Sequence, residues 1–241
     1  MCSNIFLLLI LILNIFFSDE KDSVYHVVKL QQPVEIDSEW NKEPWNNISA
    51  LHITNYMGEE PVFKPKVQAK IAYDSQAIYV IFKVEDKFVR CAVDEYQGPV
   101  YRDSCVEFFF TPGTDISNGY FNLEVNCGGT ALFAYQEMRS VGRIKIPQSS
   151  FKKIDLAHSL PTIVMPERKD LVTWTIEYRI PIDILTDYTN VVPPASGVEW
   201  KANLYKIAST TSNPHYLTWS YVDHPKPQFH LPEYFGTLKF Q

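Results

Sequence analysis

From residue 24 onward the chain is a series of short segments in which apolar and polar positions alternate. Val67, Ala69, Ile71 and Tyr73 fall on one side of a run whose other side carries Gln68 and Lys70. A second run, Ile78 to Val84, follows after Asp74-Ser75-Gln76, a hairpin turn signal. Further β-branched or aromatic runs cover 105–110, 120–126, 130–135, 172–180, 200–208, 216–220 and 237–240. A period of two residues places successive side chains on opposite faces of a strand. Windows with a 3.6-residue period are short; Pro181 to Leu185 predicts one helical turn opened by its proline. Strands without helices to cover them bury their apolar faces by packing sheet on sheet. The pattern therefore predicts an all-β fold, a single antiparallel β-sandwich spanning residues 24–241, with a closed barrel as the competing architecture.

The N-terminus departs from this pattern. Ile5 to Phe17 is apolar apart from Asn14, and Ser18 precedes the charged run Asp19-Glu20-Lys21-Asp22. Thirteen residues fall short of the roughly 20 needed to cross a bilayer but fit the core of a secretory signal peptide. Residues 1–18 are assigned as that signal, which makes the mature protein secreted, with no membrane partner after cleavage. With Cys2 in the leader, Cys91, Cys105 and Cys127 remain, so at most one internal disulfide can form. Asn47-Ile48-Ser49 is a glycosylation sequon. The net charge is −6, without a basic stripe, which argues against nucleic acid as a partner.

Candidate chemistry lies on the polar faces. In the run from Tyr101 to Phe110, alternation groups Tyr101, Asp103, Cys105, Glu107 and Phe109 opposite Val106, Phe108 and Phe110. Charged residues are depleted in mid-strand and costly to bury unpaired, so Glu107 needs a reason. Asn122, Glu124 and Asn126 alternate with Phe121, Leu123 and Val125, and Lys201, Asn203, Tyr205 and Ile207 alternate with Ala202, Leu204, Lys206 and Ala208. Three such strands in one sheet would present carboxylates, amides and a phenol on a rigid floor, the groups that sugar hydroxyls require. Sugars also present C–H faces that pack on aromatic rings, and Tyr101 and Phe229 are the candidate rings. Three prolines, Pro225, Pro227 and Pro232, stiffen the loop that carries Phe229 and His230.

The residues named above, taken with their neighbours, resemble a family-nine carbohydrate-binding module, a group placed with DOMON-type β-sandwiches. Pro33 to Trp40 resembles the family's "I-D-G…W" opening, with Ser38 at the usual glycine and the tryptophan spacing better met by Trp45. Ala69 to Val80 resembles its "Y-D-x-x-x-L-Y-V" hairpin, Asp103 to Phe109 its "D-D-S-V-E-x-F", and Tyr120 to Gly128 its "Y-x-x-F-x-V-N-x-x-G". Trp174 to Leu185 resembles "W-x-x-E-x-x-I-P-x-x-x-L". Leu217 to Phe240 resembles "L-x-W-S…F-H-x-P-x-x-F-G-x-L-x-F".

That resemblance implies non-catalytic recognition of an oligo- or polysaccharide, carbohydrate catabolism as its setting and a glycoside hydrolase as partner. It leaves structural calcium open, with no other cofactor; no compact Asp-rich loop is visible in the sequence. In the family two tryptophans sandwich a terminal sugar while a Glu, an Arg and a Gln bind its hydroxyls. Tyr101 and Phe229 stand at the tryptophans, Glu107 at the Glu, Glu124 at the Arg and Tyr205 at the Gln.

Three readings compete with sugar binding. Glu107 and Glu124 on one face could supply the two carboxylates of a glycosidase. Haem binding, as in some DOMON relatives, would draw axial ligands from His215, His230, Met138 and Met165, whose spacing does not force them together. The smaller rings at Tyr101 and Phe229 are also those of a secreted adhesion domain whose sugar pocket has decayed.

Overall fold

The computed structural model describes residues 23–139 and 141–241; the leader assigned as a signal peptide lies outside them. Sixteen strands are present among the described residues: β1 (Val24–Lys29), β2 (Leu51–His52), β3 (Asn55–Tyr56), β4 (Lys66–Tyr73), β5 (Ala77–Asp86), β6 (Val89–Cys91), β7 (Cys105–Thr111) and β8 (Tyr120–Asn126). They continue as β9 (Ala131–Gln136), β10 (Ile144–Lys145), β11 (Asp155–His158), β12 (Val164–Arg168), β13 (Val172–Pro181), β14 (Glu199–Ala208), β15 (His215–Thr218) and β16 (Gly236–Phe240). The expected helical turn is α2 (Ile182–Thr186), preceded by a second short helix, α1 (Gln148–Phe151). The hairpin between β4 and β5 is closed by Asp74, whose Oδ1 accepts from the backbone N–H groups of Gln76 (2.7 Å) and Ala77 (2.8 Å).

The strands run β10-β9-β8-β7-β14-β16-β1-β4-β5-β13-β11, a β-sandwich made from one curled sheet. The two halves share β1. Its first part, Val24 to Val27, lies beside β16, and Val28 and Lys29 cross over to pair with β4. Both of these pairings are parallel, while the remaining strand pairings among the described residues are antiparallel, as expected of the sandwich. The sheet ends in free edges at β10 and β11, so it does not close into a barrel.

Alternation puts Val106, Phe108 and Phe110 of β7, Phe121, Leu123 and Val125 of β8, and Trp200, Ala202 and Leu204 of β14 between the sheets. They meet Val67, Ala69, Ile71 and Tyr73 of β4, Ile78, Val80, Phe82 and Val84 of β5, and Trp174, Ile176, Tyr178 and Ile180 of β13. The same parity carries Lys206 inward. It is fully buried, and its Nζ lies 3.1 Å from Asp86 Oδ2 at the end of β5 and 2.6 Å from His215 Nε2. The three thiols are also buried and free. The Cys91 thiol donates to the Thr162 carbonyl (3.0 Å) and the Cys127 thiol to the Arg90 carbonyl (3.6 Å), whereas Cys105 belongs to a separate cluster on the outer face of β7.

Both outer faces are covered as well. The segment from Leu30 to Ile48 lies over the second sheet, where Trp45, Ile48 and Leu30 pack on Ala72, Tyr79 and Ile81. The carboxylate of Glu177 on β13, itself fully buried, anchors this cover. It accepts from the backbone N–H of Asp37 (3.0 Å) and Ser38 (2.8 Å), Trp45 Nε1 (2.8 Å) and Lys42 Nζ (2.9 Å). Four donors from one loop on one carboxylate explain why the opening motif and the "W-x-x-E" motif occur together. Trp45, fully buried, is the motif tryptophan. Ser38 adopts the left-handed region (φ 65°), which accounts for the glycine usual at that position.

Glu177→Ala is expected to lower the unfolding free energy by about 3 kcal/mol, because it leaves the buried Trp45 indole N–H and the backbone N–H groups of Asp37 and Ser38 without their acceptor; urea denaturation monitored by tryptophan fluorescence checks this.

Candidate functional site

The outer face of the first sheet carries a second apolar cluster. Cys105 and Phe109 of β7, Tyr120 of β8, Leu132 and Ala134 of β9, and Tyr205 and Ile207 of β14 lie under Val222, Phe229 and Phe235 of the C-terminal loop. The loop is held by Tyr205, whose ring stacks on Phe229 at 4.1 Å between centroids and 12° between planes. The Tyr205 hydroxyl donates to the Phe229 carbonyl (3.1 Å). Such a pair adds about 0.5–1.5 kcal/mol beyond the area it buries. Where the loop stops short of covering the sheet, a cleft of about 300 Å³ opens. Its wall includes Tyr101, Glu107, Glu124, Tyr216, Phe229 and His230.

Each wall residue is placed by a definite local feature. Tyr101 sits in a 3₁₀ turn, Val100–Arg102, whose carbonyl at Tyr101 accepts from the Ser209 N–H (3.2 Å) and Oγ (3.1 Å). Its backbone is thus fixed while the ring remains 39% exposed, enough to meet a ligand. Asp103, fully buried, accepts from the N–H groups of Ala92 (3.0 Å) and Val93 (2.8 Å) and so ties the loop after β6 to the start of β7. His230 Nδ1 lies 2.9 Å from the Tyr120 hydroxyl and 3.2 Å from Gln136 Nε2. Gln136 Nε2 also donates to Asn122 Oδ1 (3.0 Å), and Asn122 Nδ2 to Glu124 Oε1 (2.9 Å). A chain of amides thus runs from the covering loop to Glu124.

Glu107 and Glu124 are register partners on adjacent antiparallel strands, which sets their Cβ atoms about 4.5–5.5 Å apart. They are 2% and 4% exposed, and Glu124 Oε2 has no hydrogen-bond partner. Burial pushes the Glu124 carboxyl up to about 7, opposed by the Asn122 hydrogen bond and by Arg143. Glu107 is raised well above the ordinary glutamate value by burial and then by Glu124 itself. Burial, with Arg143 and Arg139 adding to it, lowers His230 to about 4. The ring is therefore neutral at pH 7, and a neutral ring that accepts at Nδ1 carries its proton on Nε2.

Of the five residues the sequence singled out, the structure brings Tyr101, Glu107, Glu124 and Phe229 to the wall of one cleft. Tyr205 is placed differently. It is fully buried beneath Phe229 with its hydroxyl engaged, so it supports the ring and does not face the opening. Pro227, Gln228, His230, Ile207 and Tyr216 line the cleft without having been singled out as ligand contacts. Pro227, Gln228 and His230 flank Phe229 in the proline-stiffened loop, and that stiffness was their sequence signal. Tyr216 carried none, because it reaches the wall only through the pairing of β15 with β14. Of the haem candidates, His215 is held by Lys206 and Asn213, and Met138 and Met165 are exposed. Calcium favours several carboxylates around one point; among the described residues no group of three or more His, Cys, Asp or Glu could hold a metal ion, so they do not fit a carboxylate cage.

Comparison with known proteins agrees with this architecture. The sequence model of carbohydrate-binding family 9 matches residues 37–240. A crystal structure from Bacteroides uniformis, assigned as a carbohydrate-binding protein, is 27% identical over 91% of this chain and 100% of that one, with a TM-score of 0.81. Two structures of a family 9 module from Caldicellulosiruptor kristjanssonii are each 16% identical over 90% of this chain. The cellotriose complex is covered to 93% with a TM-score of 0.62, and the glucose complex to 95% with a TM-score of 0.60. No curated protein matches the chain.

The raised Glu124 carboxyl sets a pH dependence. The native state holds a proton up to about pH 7 that the unfolded chain releases near 4.5, so stability falls as pH rises across that window and levels off above it. Glu124→Gln is expected to raise stability by about 1–3 kcal/mol at pH 8 and by little at pH 4. Thermal melts of both proteins across pH 4–8 measure the difference.

Proposed function

The chain belongs to carbohydrate-binding family 9, and from that premise we propose that the cleft bounded by Tyr101, Glu107, Glu124 and Phe229 is its glycan site. The observation that carries this reading is the convergence of aromatic rings and two buried carboxylates on one opening of about 300 Å³. That volume suits one or two sugar rings, so the site would hold the end of a chain. Carboxylates accept from hydroxyls, the neutral His230 ring can donate through Nε2–H, and Tyr101 offers a face for the C–H side of a sugar. Recognition is non-catalytic: the chain binds carbohydrate and leaves cleavage to a glycoside hydrolase partner. Secretion, directed by residues 1–18, and DOMON-like kinship belong to the same reading. Asn47 in the sequon is exposed, as a glycan acceptor must be.

The cellotriose and glucose held by the Caldicellulosiruptor modules set the first probes. Cellotriose or a related oligosaccharide is expected to bind weakly, in the micromolar to millimolar range typical of shallow sites. Tyr101→Ala should weaken that binding by about 1–3 kcal/mol, with little change in melting temperature because the ring is on the surface. Isothermal titration of the two proteins against the same sugar tests this; equal affinities would remove Tyr101 from the site, and silence across a glycan array would remove the reading itself.

A further inference from the structure

The cleft has an electrostatic character that a neutral sugar does not match. Glu107 and Glu124 face one another across neighbouring strands, both more than nine-tenths buried, and neither has an ion-pair partner among the described residues. Two adjacent buried carboxyls cannot both ionise without repelling one another, and burial leaves little water to screen them, so both hold their protons above the ordinary glutamate range. The nearest buried cation, Lys206, sits on the opposite face of β14, held against Asp86 and His215. Tyr205, the cross-strand neighbour of Glu107, is a phenol whose hydroxyl is engaged, and Cys105 beside it is a thiol that burial keeps protonated.

Around the pair the wall is aromatic: Tyr101, Tyr216, Phe229 and the neutral His230. Tyr120, behind His230, is also neutral, raised above its usual value chiefly by burial. Arg139 and Arg143 act on the site at a distance from the β9–β10 connection and are exposed; Glu233 opposes them from the covering loop. Among the described residues no lysine or arginine contributes to the wall itself. Glu124, which lines the opening, therefore keeps in Oε2 a buried acceptor with no donor among the described residues.

Ionising this pair is unfavourable unless something positive completes it. An ammonium brings three donors and one positive charge to a place that offers acceptors, two acids and π faces. A hydroxyl brings a single donor and no charge.

Building on the reading of the cleft as a sugar site, we propose that it selects an unacetylated amino sugar, with the sugar ammonium seated between Glu107 and Glu124 and the ring against the aromatic wall. N-acetylation would remove the charge and enlarge the group, so the N-acetyl sugar loses the advantage. Because Glu124 holds a proton near neutrality, seating a cation beside it should expel that proton, which a neutral sugar does not do.

Titration calorimetry at pH 6.5 against D-glucose, D-glucosamine, N-acetyl-D-glucosamine and cellotriose tests the inference. The measurements are made in two buffers of different ionisation enthalpy so that proton release can be read directly. The expected result is at least tenfold tighter binding of glucosamine than of glucose or N-acetylglucosamine, with proton release for glucosamine alone. In Glu124→Gln, and independently in Glu107→Gln, the preference for glucosamine should fall below threefold, with folding verified by thermal melts. Equal or weaker binding of glucosamine than of glucose in the unmutated protein would overturn the amino-sugar inference and leave the sugar-binding reading standing. Absence of binding to all four would overturn both. A tenfold preference that survives both substitutions would also refute the carboxylate pair as its origin.

Discussion

The Tyr205–Phe229 stack holds together everything that makes this sandwich more than a scaffold. A phenol rooted in β14 carries the ring of Phe229 flat upon it and closes a hydrogen bond to the Phe229 carbonyl. Through that contact the C-terminal loop lies on the outer face of the first sheet, turning an exposed polar surface into a buried one. The cleft exists because the cover is incomplete. The burial and the unusual titration of its acids follow from where this loop comes down.

The second sheet solves the same problem with different chemistry. Its outer face is covered by the segment from Leu30 to Ile48, fixed by Glu177 through four hydrogen bonds. There the buried carboxylate is saturated by donors, including a lysine, and contributes stability. In the cleft the buried carboxylates are left short of donors. The contrast between Glu177 and Glu124 is a contrast between a structural acid and a receptive one. Two residues of the same type, each in the middle of a strand and each buried, are told apart by the inventory of hydrogen-bond donors around them.

That shortage opposes stability, since a buried acid short of partners costs free energy that the hydrophobic contacts of the core must offset. Binding sites commonly retain such local disadvantages because the ligand removes them on arrival. The core here can support it: two sheets interleave aromatic and aliphatic residues from six long strands, and an internal Lys206–Asp86 ion pair links β14 to the end of β5.

The sequence by itself determined the strands and their facing. Period-two alternation in Val67–Tyr73, Cys105–Phe110 and Tyr120–Asn126 sorts core from outer face correctly, because side-chain direction in a strand is a local property of the backbone. It also gathered Tyr101, Glu107, Glu124 and Phe229 as one set through the family motifs. Strand β1 was not legible, since its two parallel partners, β4 and β16, lie far away in the chain. Nor was the role of Tyr205, because parity places it on the polar face but only the fold of the C-terminal loop decides what lies above that face. The meeting of Glu107 with Glu124 likewise depended on register between strands, as did the make-up of the cleft wall, which among the described residues includes no lysine or arginine. Alternation is written residue by residue; donors, neighbours and burial come from segments distant in sequence, and only the tertiary structure brings those together.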